Sequence, residues 1–206
     1  MTRKDHWEQV YSTRLAEKLG WYKPRLETSM SWIAELGLDK DARIIDVGCG
    51  ASTLVDDLLD AGFESIAVLD ISDSALAISK KRLGRQADMV MWLSGDVTST
   101  TLPPDYFELW HDRAALHFLT EPDQQAQYRD SLLKSLRPGG HAIVGAFSSE
   151  APPKCSGLPV RRYEPDQLAE LLGSEFEPVR HHKELHVTPG GVEQMYVYCQ
   201  FRRKND

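Results

Sequence analysis

Arg43 to Thr53 reads RIIDVGCGAST, and the rest of the chain can be placed around it. Three β-prone residues, Ile44, Ile45 and Val47, enclose an acid and run into two glycines one residue apart. Glycine has no Cβ, so Gly48 and Gly50 let a backbone turn pass close to a ligand after a strand. A nicotinamide-binding fingerprint would require a third glycine at position 53, where the chain has Thr53, and would not ask for an acid at position 46. Asp46 stands at the strand's end, where a carboxylate can meet an ammonium group, and that suits an amino-acid-like cofactor.

Outward from this turn, short apolar strands alternate with amphipathic helices. The pattern predicts strands at 43–47, 65–69, 89–93, 106–111 and 141–147. It predicts helices at 52–61, 73–83 with Ser72 as N-cap and Gly84 as terminator, a short one at 113–119, and a longer one opened by Thr120 and Asp123 and closed by RPGG at 137–140. Such alternation implies a parallel sheet covered on both faces. Before it, 5–16 and 26–33 read as two helices that pack over the first strand. After it, 148–162 (SSEAPPKCSGLPVRR) has three prolines and no periodicity, so it reads as a loop placed to act as a lid. A helix at 165–172 and two strands, 176–187 and 192–201, joined by TPGG, close the chain, with RRKND fraying. The expectation is a doubly wound α/β fold with a mostly parallel seven-stranded sheet and a C-terminal antiparallel hairpin. One domain would span 1–206: a helical cap (1–40), a core (41–147), the lid (148–164), and the helix and hairpin (165–206).

The composition narrows the function classes. A net charge of −7 with scattered basic residues makes a poor nucleic-acid binder, because that affinity rests on neutralising phosphates. No apolar run approaches the ~20 residues of a membrane helix, and the polar MTRKDHWEQV is unlike a signal peptide, so a cytoplasmic location is expected. Three cysteines, Cys49, Cys155 and Cys199, are odd in number and lack paired ligand spacing, which points to reduced thiols and to no metal site.

With IIDVGCGAS in place, the chain resembles the class I S-adenosylmethionine-dependent methyltransferases from about residue 40 onward, with Ser52 where their first motif has a third glycine. The resemblance implies S-adenosylmethionine as cofactor and S-adenosylhomocysteine as product, held by Asp46, Gly48, Cys49 and Gly50. Asp70 in VLDIS, 20 residues after Gly50, stands where an acid accepts from ribose hydroxyls, with Ile71 beside it. Asp96 and Val97, in GDV, would hold adenine. FELWHD ends the fourth strand where the methyl should lie, so His111 and Asp112 are the catalytic candidates, His111 also facing the cofactor.

The aromatic group Trp7, Tyr11, Trp21 and Tyr22 is either core packing or a cap over a cationic sulfonium, whose charge ring faces attract. Substrate candidates are Trp7, Tyr11, Trp21, Arg113, Cys155 and Arg161. Arg161 and Arg162 could receive an anion. The pattern is similar to thiopurine and thiol methyltransferases and to lysine methyltransferases of elongation factors. The favoured acceptor is a small molecule with a thiol-like group; a protein lysine, or a cofactor-binding protein without catalysis, are the alternatives. Oligomeric state is not legible.

Overall fold

The computed structural model describes residues 2–205. The first strand, β1 (Arg43–Val47), pairs in parallel with β2 (Ser65–Asp70) on one side and β4 (Phe107–Arg113) on the other. With β3 (Val90–Ser94), β5 (Leu136–Phe147), β8 (Phe176–Val187) and β9 (Glu193–Arg203), they form a seven-stranded sheet in the order β3-β2-β1-β4-β5-β9-β8. All neighbours are parallel except β9, which runs antiparallel to β5 and β8. This is the doubly wound sheet with a terminal hairpin that the alternation implies.

Strand periodicity sorts the side chains into two cores. Ile44, Leu109 and Ile143 face Met30, Trp32 and Ile33 of α2 (Glu27–Glu35) and Leu54, Val55 and Leu58 of α3 (Leu54–Asp60). Their sequence neighbours Ile45, Trp110 and Ala142 face the opposite way, toward Tyr128 and Leu132 of α5 (Pro122–Ser135) and Leu168 and Leu172 of α6 (Pro165–Leu172). Trp110 is wholly buried and donates its indole N–H to the Tyr128 hydroxyl at 3.1 Å, so its one polar atom is satisfied. Each fully buried side chain of this kind contributes about 1.5–3 kcal/mol.

The N-terminal helix, α1 (Arg3–Thr13), departs from expectation. It does not lie on β1 but docks on α4 (Asp73–Leu83), where Glu8 accepts from the Asp73 and Ser74 amides at 2.5 and 3.2 Å and Lys4 pairs with Asp73 at 2.9 Å. Trp7, Val10 and Tyr11 form a separate apolar cluster with Leu19, Ala51 and Ala75.

Other differences have local causes. Thr120 does not cap α5; Glu121 is its N-cap residue, with Pro122 in the first turn. The helix ends at Ser135, before RPGG, and 137–140 lies inside β5 rather than between helix and strand, with an irregularity in the β4 pairing between Phe107 and Leu109 and Gly139 at φ 76°. The region 113–119 yields only a 3-10 turn, Leu116–Phe118. The lid is not structureless: β6 (Lys154–Cys155) and β7 (Leu158–Pro159) pair through Ser156 and Gly157, both at positive φ, as two-residue hairpin turns require. Arg202 and Arg203 are not frayed but complete β9, and Arg203 pairs with Asp105 at 2.5 Å; Asp206 lies outside the described residues. Among the described residues no helix is long and apolar enough to cross a membrane.

Ser72 caps α4 as its sequence position suggests, its hydroxyl accepting from the Ala75 amide at 3.2 Å. Ser72→Ala should therefore lower stability by about 1 kcal/mol, read as a lower urea midpoint at unchanged m-value.

Candidate active site

The strand order reverses between β1 and β4, and the crevice beyond the carboxyl ends at such a point is where open α/β sheets bind ligands. A cavity of about 1100 Å³, its open mouth included, lies there. Asp46, Gly48, Cys49, Asp70, Ile71, Asp96, Val97, His111, Arg113 and Cys155 line it, and Trp7, Tyr11 and Trp21 cover it. Gly50 sits behind this wall.

The turn after β1 is held by backbone geometry. Gly48 and Gly50 adopt φ of 61° and 55°, the left-handed region that favours glycine. A Cβ at Gly50 would sit 2.2 Å from the Tyr11 hydroxyl, and one at Gly48 would sit 2.3 Å from the Ala115 Cβ. The Asp70 carboxylate accepts from the Gly50 and Ser72 amides, both at 2.8 Å, and so ties the end of β2 to the first turn. Burial pushes its pKa up to about 6 against those two amides. Lone pairs remain on both oxygens for further donors.

Asp96 is engaged in a way the sequence did not suggest. One oxygen accepts from the Thr98 amide and hydroxyl, and the other pairs with Arg3 of α1 at 2.5 Å. Burial acts to raise its pKa, but the Thr98 bonds and the Arg3 charge outweigh it and hold the group below the usual carboxylate range.

Asp46 and His111 are register partners across β1 and β4, and the imidazole Nδ1 lies 2.6 Å from the Asp46 Oδ1. Since the carboxylate accepts, Nδ1 donates, and the ring's Nε2 lies 2.8 Å from the Ser29 hydroxyl, which can donate or accept. Both ring nitrogens are thus engaged within the protein. Asp112 points to the other face of β4. It is fully buried, does not line the cavity, and accepts from the Ala115 and Leu116 amides at 2.8 and 3.1 Å. Burial pushes its pKa up to about 6. That geometry makes it the cap of the turn after β4, which corrects its assignment as a group facing the acceptor.

Of the substrate candidates, five line the cavity and one does not. Trp7 packs edge-on against Trp21 at 5.4 Å and Phe118 at 4.9 Å, with Tyr11 at 6.0 Å from Trp21. The rings therefore pack on one another, and Trp7, Tyr11 and Trp21 also line the cavity. Arg113 donates from Nε to the Tyr198 hydroxyl and from Nη1 to the Trp21 carbonyl, both at 2.9 Å. Cys155, from the lid hairpin, is a buried thiol whose pKa burial pushes up to about 12, so it stays protonated. Arg161 is exposed, bonds the Gln125 side chain at 2.5 Å and stays outside the cavity, which corrects its assignment. Sequence reasoning missed Arg3, Lys23 and Ser29. Lys23 lines the cavity, and its charge is matched by Glu184 of β8 at 2.8 Å, a pairing across the length of the chain that no local pattern announces.

Comparison with known proteins agrees with this architecture. Residues 44–140 match a methyltransferase domain family. The chain is 24% identical over 235 residues to the human eEF1A lysine and N-terminal methyltransferase, covering 97% of this chain and 31% of that protein, and it spans 18% of the mouse counterpart's length. A structure from work on the conversion of a disulfide bond into a thioacetal group during echinomycin biosynthesis superposes with a TM-score of 0.77 at 17% identity, covering 98% of this chain and 92% of that one. The 1,6-didemethyltoxoflavin-N1-methyltransferase of Burkholderia thailandensis, with its substrate and S-adenosylhomocysteine bound, gives 0.68 at 22% identity, covering 87% and 78%.

The capping geometry of Asp112 leads to a specific outcome. Asp112→Asn presents an amide donor to a backbone donor, so it should cost about 1–2 kcal/mol in urea denaturation while turnover of the still-folded protein stays within about threefold. A large loss of turnover at unchanged stability would return Asp112 to the chemistry.

Proposed function

The chain carries a class I, S-adenosylmethionine-dependent methyltransferase domain, and from that premise we propose that it transfers the methyl group of S-adenosylmethionine to a small-molecule acceptor that reacts as a soft, already ionised nucleophile such as a thiolate. The observation that carries this reading is the cavity at the β1–β4 switch, where the histidine and the cysteine on its wall are not placed as bases. The residues there fit the cofactor. Asp46 offers a carboxylate to an ammonium group, Asp70 keeps lone pairs for ribose hydroxyls, Asp96 can accept from an exocyclic amine, and the Trp7, Tyr11 and Trp21 rings suit a cationic sulfonium.

When bound, the cofactor supplies an activated methyl group. The protein's task is then to align the acceptor, exclude water and, for some acceptors, remove a proton. The turn at Gly48 and Gly50 brings backbone close to the ligand. The aromatic roof and Cys155 of the lid hairpin cover part of the cavity with apolar surface. His111 has both nitrogens engaged, Asp112 faces away, and Cys155 is held protonated by burial, so with the three lining aspartates assigned to the cofactor these side chains are not placed as a general base for the acceptor. An acceptor that arrives ionised needs none. His111 accordingly serves to hold Asp46, and Arg113 meets the acceptor.

A protein lysine is the second reading, favoured by the naming of the relatives as eEF1A lysine and N-terminal methyltransferases. It asks for an acidic channel and a group to take the amine's proton, whereas Arg113 and Lys23 line the acceptor end. A panel of thiols, amines, carboxylates and a purified elongation factor, assayed for S-adenosylhomocysteine, decides between them. Thiols should turn over fastest; turnover confined to the elongation factor would establish the second reading, and tight cofactor binding with no product from any acceptor would reduce the chain to a binding protein.

The cofactor assignment has its own test. Hydroxyl donors favour the Asp70 carboxylate over the acid, whose pKa without ligand lies at about 6. Affinity for S-adenosylhomocysteine should therefore be full above pH 6 and fall as the pH drops below it. Asp70→Ala should weaken binding more than about tenfold and flatten that profile; an unaltered calorimetric titration would remove Asp70 from the ribose site.

A further inference from the structure

The Asp46–His111 pair continues into a longer path of polar side chains on the same face of the sheet. Arg113, Gly145 and Tyr198 are register partners across β4, β5 and β9. Gly145 has no side chain, and a Cβ there would sit 2.9 Å from the Tyr198 Cε1, so the tyrosine ring lies over the glycine. Its hydroxyl thereby reaches Arg113, whose Nε donates to it at 2.9 Å. The Tyr198 hydroxyl has Ser29 of α2 as its other side-chain partner. Ser29 lies 2.8 Å from His111 Nε2, and His111 Nδ1 donates to Asp46 Oδ1 at 2.6 Å. Ser29, Tyr198, His111 and Asp46 are all buried. The path starts at one residue of the cavity wall, Arg113, and ends at another, Asp46.

The two ends fix the direction of the path. A guanidinium has only donors and an ionised carboxylate only acceptors, whereas the hydroxyls and the imidazole between them can do both. With Arg113 donating to Tyr198, the tyrosine proton is free for Ser29, the serine proton goes to Nε2, and Nδ1–H remains for Asp46. Each proton along the path then has an acceptor. If Nε2 instead donated to Ser29, one hydroxyl proton of Ser29 or Tyr198 would be left without an acceptor in a buried place, which is costly. The ring is therefore neutral. Asp46 keeps its negative charge on the cavity wall, where an imidazolium beside it would cancel that charge.

We propose that Ser29 and Tyr198 are positioning residues for the cofactor: by donating toward His111 they hold it as the neutral, Nδ1-protonated partner of Asp46, and so keep that carboxylate oriented and charged for the cofactor's ammonium group. This rests on the methyl-transfer reading above and assigns the residues that act behind it. Neither side chain lines the cavity, so both act through His111. Hydrogen bonds in a one-way chain polarise one another, so loss of one member weakens the contact at the far end.

The test uses the full chain and two probes that differ by the group in question. S-adenosylhomocysteine carries the amino-acid ammonium, and methylthioadenosine has the same adenosine and sulfur without it. Both are titrated by calorimetry. Ser29→Ala should weaken S-adenosylhomocysteine about tenfold and leave methylthioadenosine within about twofold. Tyr198→Phe keeps the ring on Gly145 and should show the same split with a loss of about threefold. Added to Asp46→Asn, Ser29→Ala should cause little further loss, because both changes act on one contact. Heteronuclear NMR of the imidazole nitrogens should show His111 protonated at Nδ1 and bare at Nε2, a pattern lost in Ser29→Ala. Equal losses for the two probes would reduce Ser29 and Tyr198 to packing. Unchanged S-adenosylhomocysteine affinity in Ser29→Ala, or a His111 protonated on both nitrogens in the unsubstituted protein, would also overturn the proposal. Should Ser29→Ala not fold, Tyr198→Phe decides on the same split. Failure of the unsubstituted protein to bind S-adenosylhomocysteine would instead overturn the methyltransferase reading, with the hydrogen-bond path judged on the NMR spectra.

Discussion

The Asp46–His111–Ser29 chain is the contact on which the site depends. It joins β1, β4 and α2 at the one place where the sheet reverses its order, and it is buried. A buried carboxylate without a partner would be costly, and His111 supplies that partner from the adjacent strand at the same register level. With Asp46 held, the following residues turn through Gly48 and Gly50, and Asp70 reaches across from β2 to accept the Gly50 amide. The cavity wall is therefore a continuous set of hydrogen bonds between strand ends, and rigid elements hold polar groups to better tolerance than loops do.

Around that wall, charge is divided. Asp46, Asp70 and Asp96 line one part of the cavity, and Arg113 and Lys23 another. A ligand with a cationic centre and several donors suits the first part, and an anion suits the second. On the proposed reading, methyl transfer needs little from the protein beyond alignment and exclusion of water, and the site's His111 has both ring nitrogens in contacts within the protein while burial raises the Cys155 thiol.

Much of this was legible in the sequence. Helices 73–83 and 165–172 and strand 43–47 occur at the limits read from capping residues and apolar runs, because their punctuation is local: Ser72, Gly84, Pro165, Gly48. That Asp46, Asp70 and Asp96 meet at one cavity follows from their places after successive strands. What failed was of two kinds. His111 and Asp112 were both assigned to the site, although consecutive residues of a strand face opposite sides, and period two alone separates them. The other misses depend on distant partners. Arg161 finds Gln125, Arg3 finds Asp96 and Lys23 finds Glu184, contacts made only when the chain closes. The turn at Ser156 and Gly157 carried a hairpin signal, but a strand of two residues on each side is too short to show alternation.

The ion pair between Arg3 and Asp96 ties the docking of α1 to the wall of the cavity, and on the proposed cofactor reading to its occupancy. Arg3 occupies the carboxylate that the proposed reading gives to an adenine amine, and the same helix carries Trp7 and Tyr11 of the roof. Seating of the helix and binding of the cofactor are then linked equilibria, and reciprocity requires each to alter the other by an equal free energy. Competition for Asp96 sets the two against each other, while ring contact with the ligand sets them in concert. The balance between those terms decides whether the helix opens as the product leaves or holds it in place.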